Sequence, residues 1–194
     1  SARGPGGLGG QARAAIPEKP FFDATLMAMG PARDHAEEEG KWRVAAVLLA
    51  GVAPGAALQL AAYLSRKGDH VEAARVYALH AEKWPDDQSH CTALQNGAVE
   101  LDLAKRGQEA AGRYRALGTE ARCAQSSPDV AALALYRAGQ LYLAARKRPE
   151  AREMFQAATE IQGVSTPDAK RRVAEARSEA KRLGAKAGRR QPQR

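Results

Sequence analysis

Residues 54–87 decide the fold of this chain, and they read PGAALQLAAYLSRKGDHVEAARVYALHAEKWPDD. A small residue, Ala61, is followed by Leu64 after three positions, by Ala73 after twelve and by Tyr77 after sixteen. The same spacing recurs twice further along the chain, in the sets Ala98, Leu101, Ala110, Tyr114 and Gly139, Tyr142, Ala151, Phe155. An internal repeat of this kind predicts stacked helical hairpins, which present a binding surface rather than a catalytic pocket.

The composition predicts an all-α protein. Aromatic residues make up only 5% of the 194 residues, and Ala, Leu, Arg, Glu and Lys dominate, so helix-forming propensity is high along nearly the whole chain. Short turns, expected at Lys67-Gly68-Asp69, Lys105-Arg106-Gly107 and Arg146-Lys147-Arg148-Pro149, make consecutive helices antiparallel neighbours. The predicted helices cover residues 55–67, 70–83, 89–105, 108–122, 129–146, 149–162 and 167–183.

A second signal marks the boundaries between repeats. Pro-Asp follows Trp84, Ser127 and Thr166, so the three prolines recur at an interval close to that of the packing positions. Pro fits the first turn of a helix, a preceding Ser or Thr caps free backbone N–H groups, and Asp suits the positive end of the helix dipole. Each of these sites is therefore predicted to close one repeat and to open the next helix.

These residues resemble the tetratricopeptide repeat (TPR) family. Residues 54–87 are similar to its consensus at Leu60, Ala61, Leu64, Gly68-Asp69, Glu72-Ala73, Tyr77 and Pro85. Residues 132–165 match at Gly139, Tyr142, Glu150-Ala151, Phe155 and Ala158, and residues 91–124 match at Ala98, Leu101, Ala110 and Tyr114 but lack the terminal Pro. The resemblance implies a right-handed superhelix of antiparallel hairpins. The alternative is an irregular helical bundle whose Ala content matches the pattern by chance.

The resemblance also implies a partner groove on the first helix of each hairpin. Carrying over the family's groove positions names ten residues: Leu58, Ala62, Ser65, Gln95, Val99, Asp102, Leu133, Tyr136, Gln140 and Leu143. Their mixed apolar and amide character suits an amphipathic helix or an extended peptide. The family's clamp for a terminal carboxylate is not expected, because Leu58 and Ala62 occupy positions that would need polar residues.

The two cysteines allow two interpretations. Cys91 lies at the start of the first predicted helix of its repeat and Cys123 at the end of the second. Those ends are adjacent in an antiparallel hairpin, so the favoured interpretation is a disulfide between them, which implies an oxidising compartment. The alternative is two unrelated small core residues. With a Gly/Pro-rich leader and a resemblance to bacterial envelope TPR proteins, the disulfide favours a periplasmic or outer-envelope location, with the cytoplasm as the alternative.

Charge is concentrated at the C-terminus. Residues 168–194 hold ten Lys or Arg against three Asp or Glu, so they carry +7 of the net charge of +8 and leave +1 for residues 1–167. A nearly neutral repeat body disfavours nucleic-acid binding. Helix 167–183 carries an apolar stripe, Val173, Ala176, Ala180 and Leu183, and is expected to cap the last repeat. Attachment to anionic lipid, polymer or nucleic acid is the alternative role.

The predicted domain organisation has three parts. Residues 1–20 are Gly/Pro-rich and are expected to be flexible. Residues 21–183 form one repeat domain with a degenerate repeat near 21–53, repeats near 54–87, 91–124 and 132–165, and the capping helix. Residues 184–194 are expected to be a basic disordered tail. The apolar run 44–64 is interrupted at Gly51, Pro54 and Gly55, so membrane contact is expected to be peripheral at most or to use an N-terminal tether outside this chain.

No catalytic motif appears in the sequence. It contains no Gly-rich phosphate loop, nucleophile elbow or metalloprotease helix. The four histidines, His35, His70, His80 and His90, are scattered, and His80, His90 and Cys91 lack the spacing of a metal site. We therefore expect no enzyme activity, cofactor, metal or small-molecule substrate. The expected function is a protein-binding scaffold in a bacterial envelope machine for assembly, secretion or motility. A cytosolic TPR adaptor and a basic nucleic-acid-binding protein are the alternatives.

Overall fold

A computed structural model describes residues 53–188, with side chains through Ala185. Within this range the secondary structure is entirely helical, as predicted. The helices described there are α1 (Pro54–Arg66), α2 (His70–Lys83), α3 (His90–Leu103), α4 (Gly107–Thr119), α5 (Ala121–Ser126), α6 (Pro128–Ala144), α7 (Arg148–Glu160) and α8 (Pro167–Gly188). The expected flexible segment 1–20 and degenerate repeat 21–53 lie outside the described residues, apart from Ala53.

The helices pack in chain order. From α1 to α4 each helix packs against the next, α4 packs against α6 past the short α5, and α6, α7 and α8 pack against one another. All twelve residues of the repeated spacing are buried, from Ala61 at the first position to Phe155 at the last. The small residues allow neighbouring helices to approach closely and the large ones fill the remaining space, so the repeated spacing describes the core.

The three turns inside the repeats share one hydrogen-bonded geometry. Gly68, Lys105 and Arg146 have φ values of +80°, +62° and +61° and recur at the same intervals as the core positions. In each turn the N–H of the positive-φ residue donates to the carbonyl oxygen three positions earlier in the sequence. The N–H of the following residue donates to the carbonyl oxygen five positions before that following residue. This is the left-handed helix ending that Gly usually supplies. The sequence indicated the turns, but placed Gly107 in one of them, whereas Gly107 begins α4.

The Pro-Asp boundaries open two of the three expected helices. Helix α6 begins at Pro128 and α8 at Pro167, where the Thr166 hydroxyl accepts a bond from the N–H of Ala169 at 3.4 Å. Asp129 lies in the first turn of α6, and its carboxylate accepts bonds from the N–H and hydroxyl of Ser165 at 2.7 and 2.8 Å. These bonds lower the pKa of Asp129 and connect the start of α6 to the loop before α8.

The remaining boundary, at Pro85, was predicted wrongly. Pro85 does not open a helix, because α3 begins at His90 and residues 84–89 form a turn. The Arg122 guanidinium donates to the carbonyl oxygens of Pro85, Asp86 and Asp87, the last two at 3.1 Å. Since these carbonyls are satisfied from α5, the segment does not need a helical ladder of its own.

Two further boundaries differ from the prediction. The expected helix 108–122 ends at Thr119, because Glu120 is extended (φ −74°, ψ 118°) and a separate helix, α5, follows it. The expected disordered tail from Gly184 is helical as far as Gly188. Residues 184–188 read GAKAG; they contain no Pro, and the good helix formers Ala and Lys lie between the two Gly residues, so α8 can continue through them. Among the described residues, no helix has the length and apolar character needed to cross a membrane.

Candidate functional site

The ten predicted groove residues lie on three helices. Three are on α1, three on α3 and four on α6, and all ten are half-buried, neither enclosed in the core nor fully exposed. Val99, Tyr136 and Leu143 pack against the core with part of their surface while the rest faces solvent. Side chains placed this way are held in position by the fold and can still contact another molecule.

Arg137, which was not among the predicted groove residues, forms hydrogen bonds to two polar residues of the groove. The guanidinium of Arg137, on α6, donates from Nε to Oδ2 of Asp102 on α3 at 2.7 Å, and its Nη2 lies 2.7 Å from the same oxygen. Its Nη1 donates to Oε1 of Gln140 at 3.2 Å. Arg137 therefore connects the groove residues of α3 with those of α6, and its bond to Asp102 spans 35 residues of sequence.

Tyr136 continues the same network toward α8. Its hydroxyl accepts a bond from Nε2 of Gln140 at 3.0 Å and donates to Oε2 of Glu175 at 2.6 Å. Glu175 also accepts from Nη1 of Arg172 at 2.9 Å, and the Arg172 guanidinium lies 5.5 Å from the centre of the Tyr136 ring. The Tyr136 ring also packs at 5.8 Å, centroid to centroid, against the fully buried ring of Phe155.

The charges in this network stabilise one another. Burial raises the pKa of the Tyr136 phenol, and its bond to the Glu175 carboxylate raises that pKa further. The Tyr136 hydroxyl, followed by Arg172, lowers the pKa of Glu175, while Glu175 raises the pKa of Arg172. At neutral pH the phenol is thus protonated and the carboxylate ionised, so the bond between α6 and α8 has a fixed donor and acceptor.

Recesses in the surface offer places where a partner could bind. Tyr136 and Glu175 line one of about 490 Å³, together with residues of α8. Another, of about 460 Å³, lies along α2 and is lined by Leu60, Glu72, Arg75, Val76, Ala78, Leu79, Glu82 and Arg113. None of the predicted groove residues lines this α2 recess. Its exposed apolar member is Leu79, which is 41% exposed, so the α2 recess is a competing place for a partner.

Three members of this network were not predicted from the sequence: Arg137, Arg172 and Glu175. Arg137 is next to Tyr136 and three residues before Gln140, so its position on the helix could have indicated it. Glu175 lies 39 residues after Tyr136. It lies on the predicted capping helix, and the sequence carries no local signal for its contact with Tyr136.

The favoured interpretation of the cysteines is confirmed. Cys91 and Cys123 form a disulfide, with Cα atoms 5.6 Å apart. Cys91 is the second residue of α3, but Cys123 lies in the separate helix α5 rather than at the end of a longer α4. The bridge therefore ties the first turn of α3 to α5 and closes a loop with a sequence separation of 32 residues.

Polar contacts surround the disulfide. One imidazole nitrogen of His90, Nε2, lies 2.8 Å from Oε1 of Glu120, and the other, Nδ1, is buried without a hydrogen-bond partner. The ligand-type atoms of His90, Glu120 and Cys123 all lie within 4.8 Å of one another. His80, His90 and Cys91 were the group considered from the sequence, whereas the structure brings together His90, Glu120 and Cys123. Because Cys123 is in a disulfide, this second group offers no thiolate.

His80 is the most deeply buried ionisable side chain in this part of the fold. It has no exposed surface, and neither ring nitrogen has a hydrogen-bond partner. Burial lowers the pKa of His80, Asp87 at 3.5 Å opposes this effect, and His90 adds to it. His80 therefore acts as a neutral core residue at neutral pH.

Helix α8 covers the end of the helical stack. Ala176, Ala180 and Leu183 of its predicted stripe are buried and Val173 is half-buried, and α8 packs against both α6 and α7. Part of its charge is paired along the helix, Arg171 with Asp168, Arg172 with Glu175 and Arg182 with Glu179. The apolar face of α8 is thus used for packing, and its basic face is partly neutralised.

Comparisons with known proteins assign no family to this chain. No protein-family model matches it, and no curated protein or solved structure is significantly similar to it. The all-α fold and the disulfide follow from the structure itself. The resemblance to the tetratricopeptide repeat family, and what it implies, remain a proposal.

Proposed function

We propose that this protein is a non-enzymatic scaffold, a right-handed stack of tetratricopeptide-like hairpins that binds a segment of another protein along α1, α3 and α6. The observation that carries the proposal is the repetition of core and turn at the same spacing. Gly68, Lys105 and Arg146 recur with equivalent hydrogen bonds, at the same intervals as the core positions that begin at Ala61. Repeated hairpins of this kind expose one extended row of side chains, which suits a linear partner.

The chemistry of that row supports a peptide or helix as the partner. Leu58, Val99, Leu133 and Leu143 offer apolar contacts, and each is half-buried. The Asp102–Arg137 pair presents a charge-assisted bond that is only partly enclosed, since the Arg137 side chain is 43% exposed. A partner with apolar side chains at helical or alternating spacing, and with polar groups that meet Gln95 and Gln140, would fit such a surface.

Nucleic acid is a weaker candidate partner. The excess positive charge lies after residue 167, and α8 uses three of its arginines in ion pairs. Phosphate binding needs cations along the contact surface, and the ten groove residues include none. This reasoning favours a protein partner.

For the compartment, we propose the periplasm or outer envelope of a bacterium. The supporting observation is the Cys91–Cys123 disulfide, since such bonds persist in oxidising compartments. Cytosolic chaperones do not act in the bacterial envelope, so a scaffold there would benefit from a cross-link that limits unfolding. A cytosolic adaptor is the alternative and would require both thiols to be reduced in the cell.

A pair of surface variants tests the binding site. Peptides are selected from a displayed random library on the immobilised protein, and their affinities are measured for wild type, Val99→Arg on the groove and Leu79→Arg in the α2 recess. We expect selected peptides to bind Val99→Arg at least about tenfold more weakly than wild type, because the new charge lies on α3, the middle of the three groove helices. They should bind Leu79→Arg as tightly as they bind wild type. Circular dichroism checks that both variants are folded.

Two results would reject the proposal. If the peptides lose affinity only for Leu79→Arg, the binding site is the α2 recess and not the predicted groove. Tight DNA or RNA binding that weakens steeply between about 0.05 and 0.2 M salt would show that phosphate neutralisation dominates, and would support the nucleic-acid alternative.

A further inference from the structure

The two cysteines, His90 and Glu120 form a cluster at the junction of α3, α4 and α5. His90 and Cys91 are the first two residues of α3, Glu120 separates α4 from α5, and Cys123 lies in the first turn of α5. An imidazole nitrogen, a carboxylate oxygen and Sγ of Cys123 lie within 4.8 Å of one another, and Sγ of Cys91 is bonded to Sγ of Cys123. Three potential metal ligands therefore lie close together, and the sulfur of the fourth, Cys91, is bonded to one of them.

We propose that reduction of the Cys91–Cys123 disulfide converts this cluster into a zinc site with the ligands Cys91, Cys123, His90 and Glu120. Zinc in proteins is tetrahedral, with bonds of about 2.0–2.3 Å, so neighbouring ligand atoms lie about 3–4 Å apart. The ligand atoms of His90, Glu120 and Cys123 lie no more than 4.8 Å apart before any metal is present, so modest side-chain movements would bring them to these separations. Two thiolates and one imidazole favour zinc over calcium or magnesium, which prefer oxygen ligands.

Burial and an unpartnered atom support this assignment independently of the spacing. His90 is 5% exposed and Cys123 is 1% exposed, so two of the four proposed ligands are shielded from water as in closed structural zinc sites. Cys91 is half-buried, and the Glu120 side chain is 35% exposed. The Nδ1 atom of His90 is buried without a hydrogen-bond partner. A buried polar atom of this kind costs free energy, and either metal coordination or a rearranged bond to Glu120 would relieve that cost.

The conversion is a balanced reaction. A dithiol reductant transfers two electrons and two protons to the disulfide, which gives two cysteine thiols and the oxidised dithiol. Zinc then replaces the two thiol protons, which leave to solvent, and accepts electron pairs from both sulfurs, one imidazole nitrogen and one carboxylate oxygen. In the oxidised protein only His90 and Glu120 could bind a metal, because the sulfurs are in the disulfide.

The zinc ion would take over the mechanical role of the bridge. The disulfide ties the first turn of α3 to α5, and a metal bound by ligands from both elements ties the same parts together. The helical stack would then keep its shape under oxidising conditions through the disulfide and under reducing conditions through zinc. This inference does not depend on which partner the scaffold binds.

Cobalt titration of the reduced full-length protein tests the site. The protein is reduced with a phosphine, which binds metals weakly, and Co²⁺ is added while the visible and near-ultraviolet spectrum is recorded. We expect one Co²⁺ per chain, with the intense d–d bands of tetrahedral cobalt and a thiolate-to-cobalt charge-transfer band. One equivalent of Zn²⁺ should remove both signals. Oxidised protein should give neither, which shows that the thiolates are required.

Matched variants identify the histidine. His90→Gln keeps a hydrogen-bonding group beside Glu120 but removes the imidazole ligand, and it should lower zinc affinity by at least about tenfold. His70→Gln is the control, because His70 lies 2.7 Å from a carboxylate oxygen of Glu100 in a similar pair without a cysteine nearby. It should bind zinc as the wild type does. Circular dichroism of each reduced protein, with and without Zn²⁺, records its helicity.

Three outcomes would overturn the proposal. The first is a reduced protein of wild-type helicity without a cobalt–thiolate signal. The second is a reduced chain that loses its helices and does not recover them with zinc. The third is His90→Gln binding as tightly as His70→Gln, which would leave His90 without a ligand role.

Discussion

Gly139 lies directly against the ring of Phe155, so close that a Cβ atom at position 139 would be only 2.6 Å from Cε1 of that ring. Phe155 is 1% exposed and its ring also packs against Tyr136, so the ring has little room to move. The contact joins α6 to α7 at the last repeat. It explains why the small position of the repeated pattern is Gly here, although Ala serves at positions 61 and 98.

Replacing Gly139 by Ala should therefore destabilise the protein. Overpacking typically costs about 1–3 kcal/mol, and the better helix propensity of Ala returns about 1 kcal/mol or less, so we expect a net loss of up to about 2 kcal/mol in urea denaturation. Gly112→Ala is the matched control, because a Cβ there meets no atom within 4 Å. It should raise the free energy of unfolding by about 0.5–1 kcal/mol. Equal effects at both sites would contradict the packing argument.

The left-handed turn residues provide a second test. Lys105 has a φ of +62°, which costs an ordinary side chain about 1 kcal/mol relative to Gly. Lys105→Gly should raise the free energy of unfolding by about 0.5 kcal/mol or more, and Lys105→Ala should leave it unchanged. Conversely, Gly68→Ala should lower it by about 1 kcal/mol, because Gly68 has a φ of +80°. Stabilisation by Ala at position 105 would show that backbone strain does not decide the effect.

Tyr136 should affect both stability and binding. As a large, rigid member of the predicted groove, Tyr136 is expected to contribute to partner binding, and its truncation to Ala should weaken that binding by about 1–3 kcal/mol. Its contact with Phe155 and its bonds to Glu175 and Gln140 lead us to expect that Tyr136→Ala also lowers the free energy of unfolding, by about 2 kcal/mol.

Tyr136→Phe separates these two roles. It keeps the ring on Phe155 and removes only the hydroxyl, so the pKa of Glu175, now lowered chiefly by that hydroxyl, should move up toward its ordinary value. Carboxylate titration followed by NMR measures this change, and thermal melting should show a smaller loss than Tyr136→Ala. An unchanged Glu175 titration would contradict the assigned hydrogen bond.

Loss of the disulfide should weaken the fold strongly. For a loop with a sequence separation of 32 residues, the chain-entropy model gives about 3–4 kcal/mol. Reduced and oxidised protein are compared by urea denaturation with a metal chelator present, so that zinc cannot replace the bridge. A loss below about 1 kcal/mol would mean that the bridge adds little to the folded state.

The same bond provides a test of compartment. Protein purified from its native compartment and alkylated without reductant should show an intact mass with no modified cysteine, and reduction before alkylation should add two modifications. Two modified cysteines without reductant would indicate a reducing compartment and would remove the main argument for the envelope.

His80 predicts a loss of stability in acid. Burial lowers its pKa below the value of about 6.5 expected in the unfolded chain, so protons bind more tightly to the unfolded state. Its contribution to stability is thus complete above pH of about 6.5 and is lost as the pH falls through the folded-state pKa. His80→Leu should remove part of the decline in melting temperature between about pH 7 and 5. An identical decline in wild type and His80→Leu would contradict this assignment.

Much of the fold could be predicted because its determinants are local. The helix periodicity, the turn at Gly68 and the alternation of Ala61 with Tyr77 are all contained within one hairpin, and each hairpin repeats them. Helix boundaries were less predictable. The end of α4 at Thr119 depends on the extended residue Glu120 and on Arg122, whose guanidinium reaches carbonyls in the turn before α3.

By itself, the sequence determined the helical fold of residues 53–188, the residues of its core and a cysteine pair at matching hairpin ends, because spacing along a helix decides which side chains share a face. Only the tertiary structure decided how those faces meet. Arg137 reaches Asp102, Tyr136 reaches Glu175, and His90 and Glu120 come together beside the disulfide. Each of these contacts joins residues far apart in the sequence, and its existence depends on the rotation and separation of whole helices, which core packing sets and no local sequence pattern records.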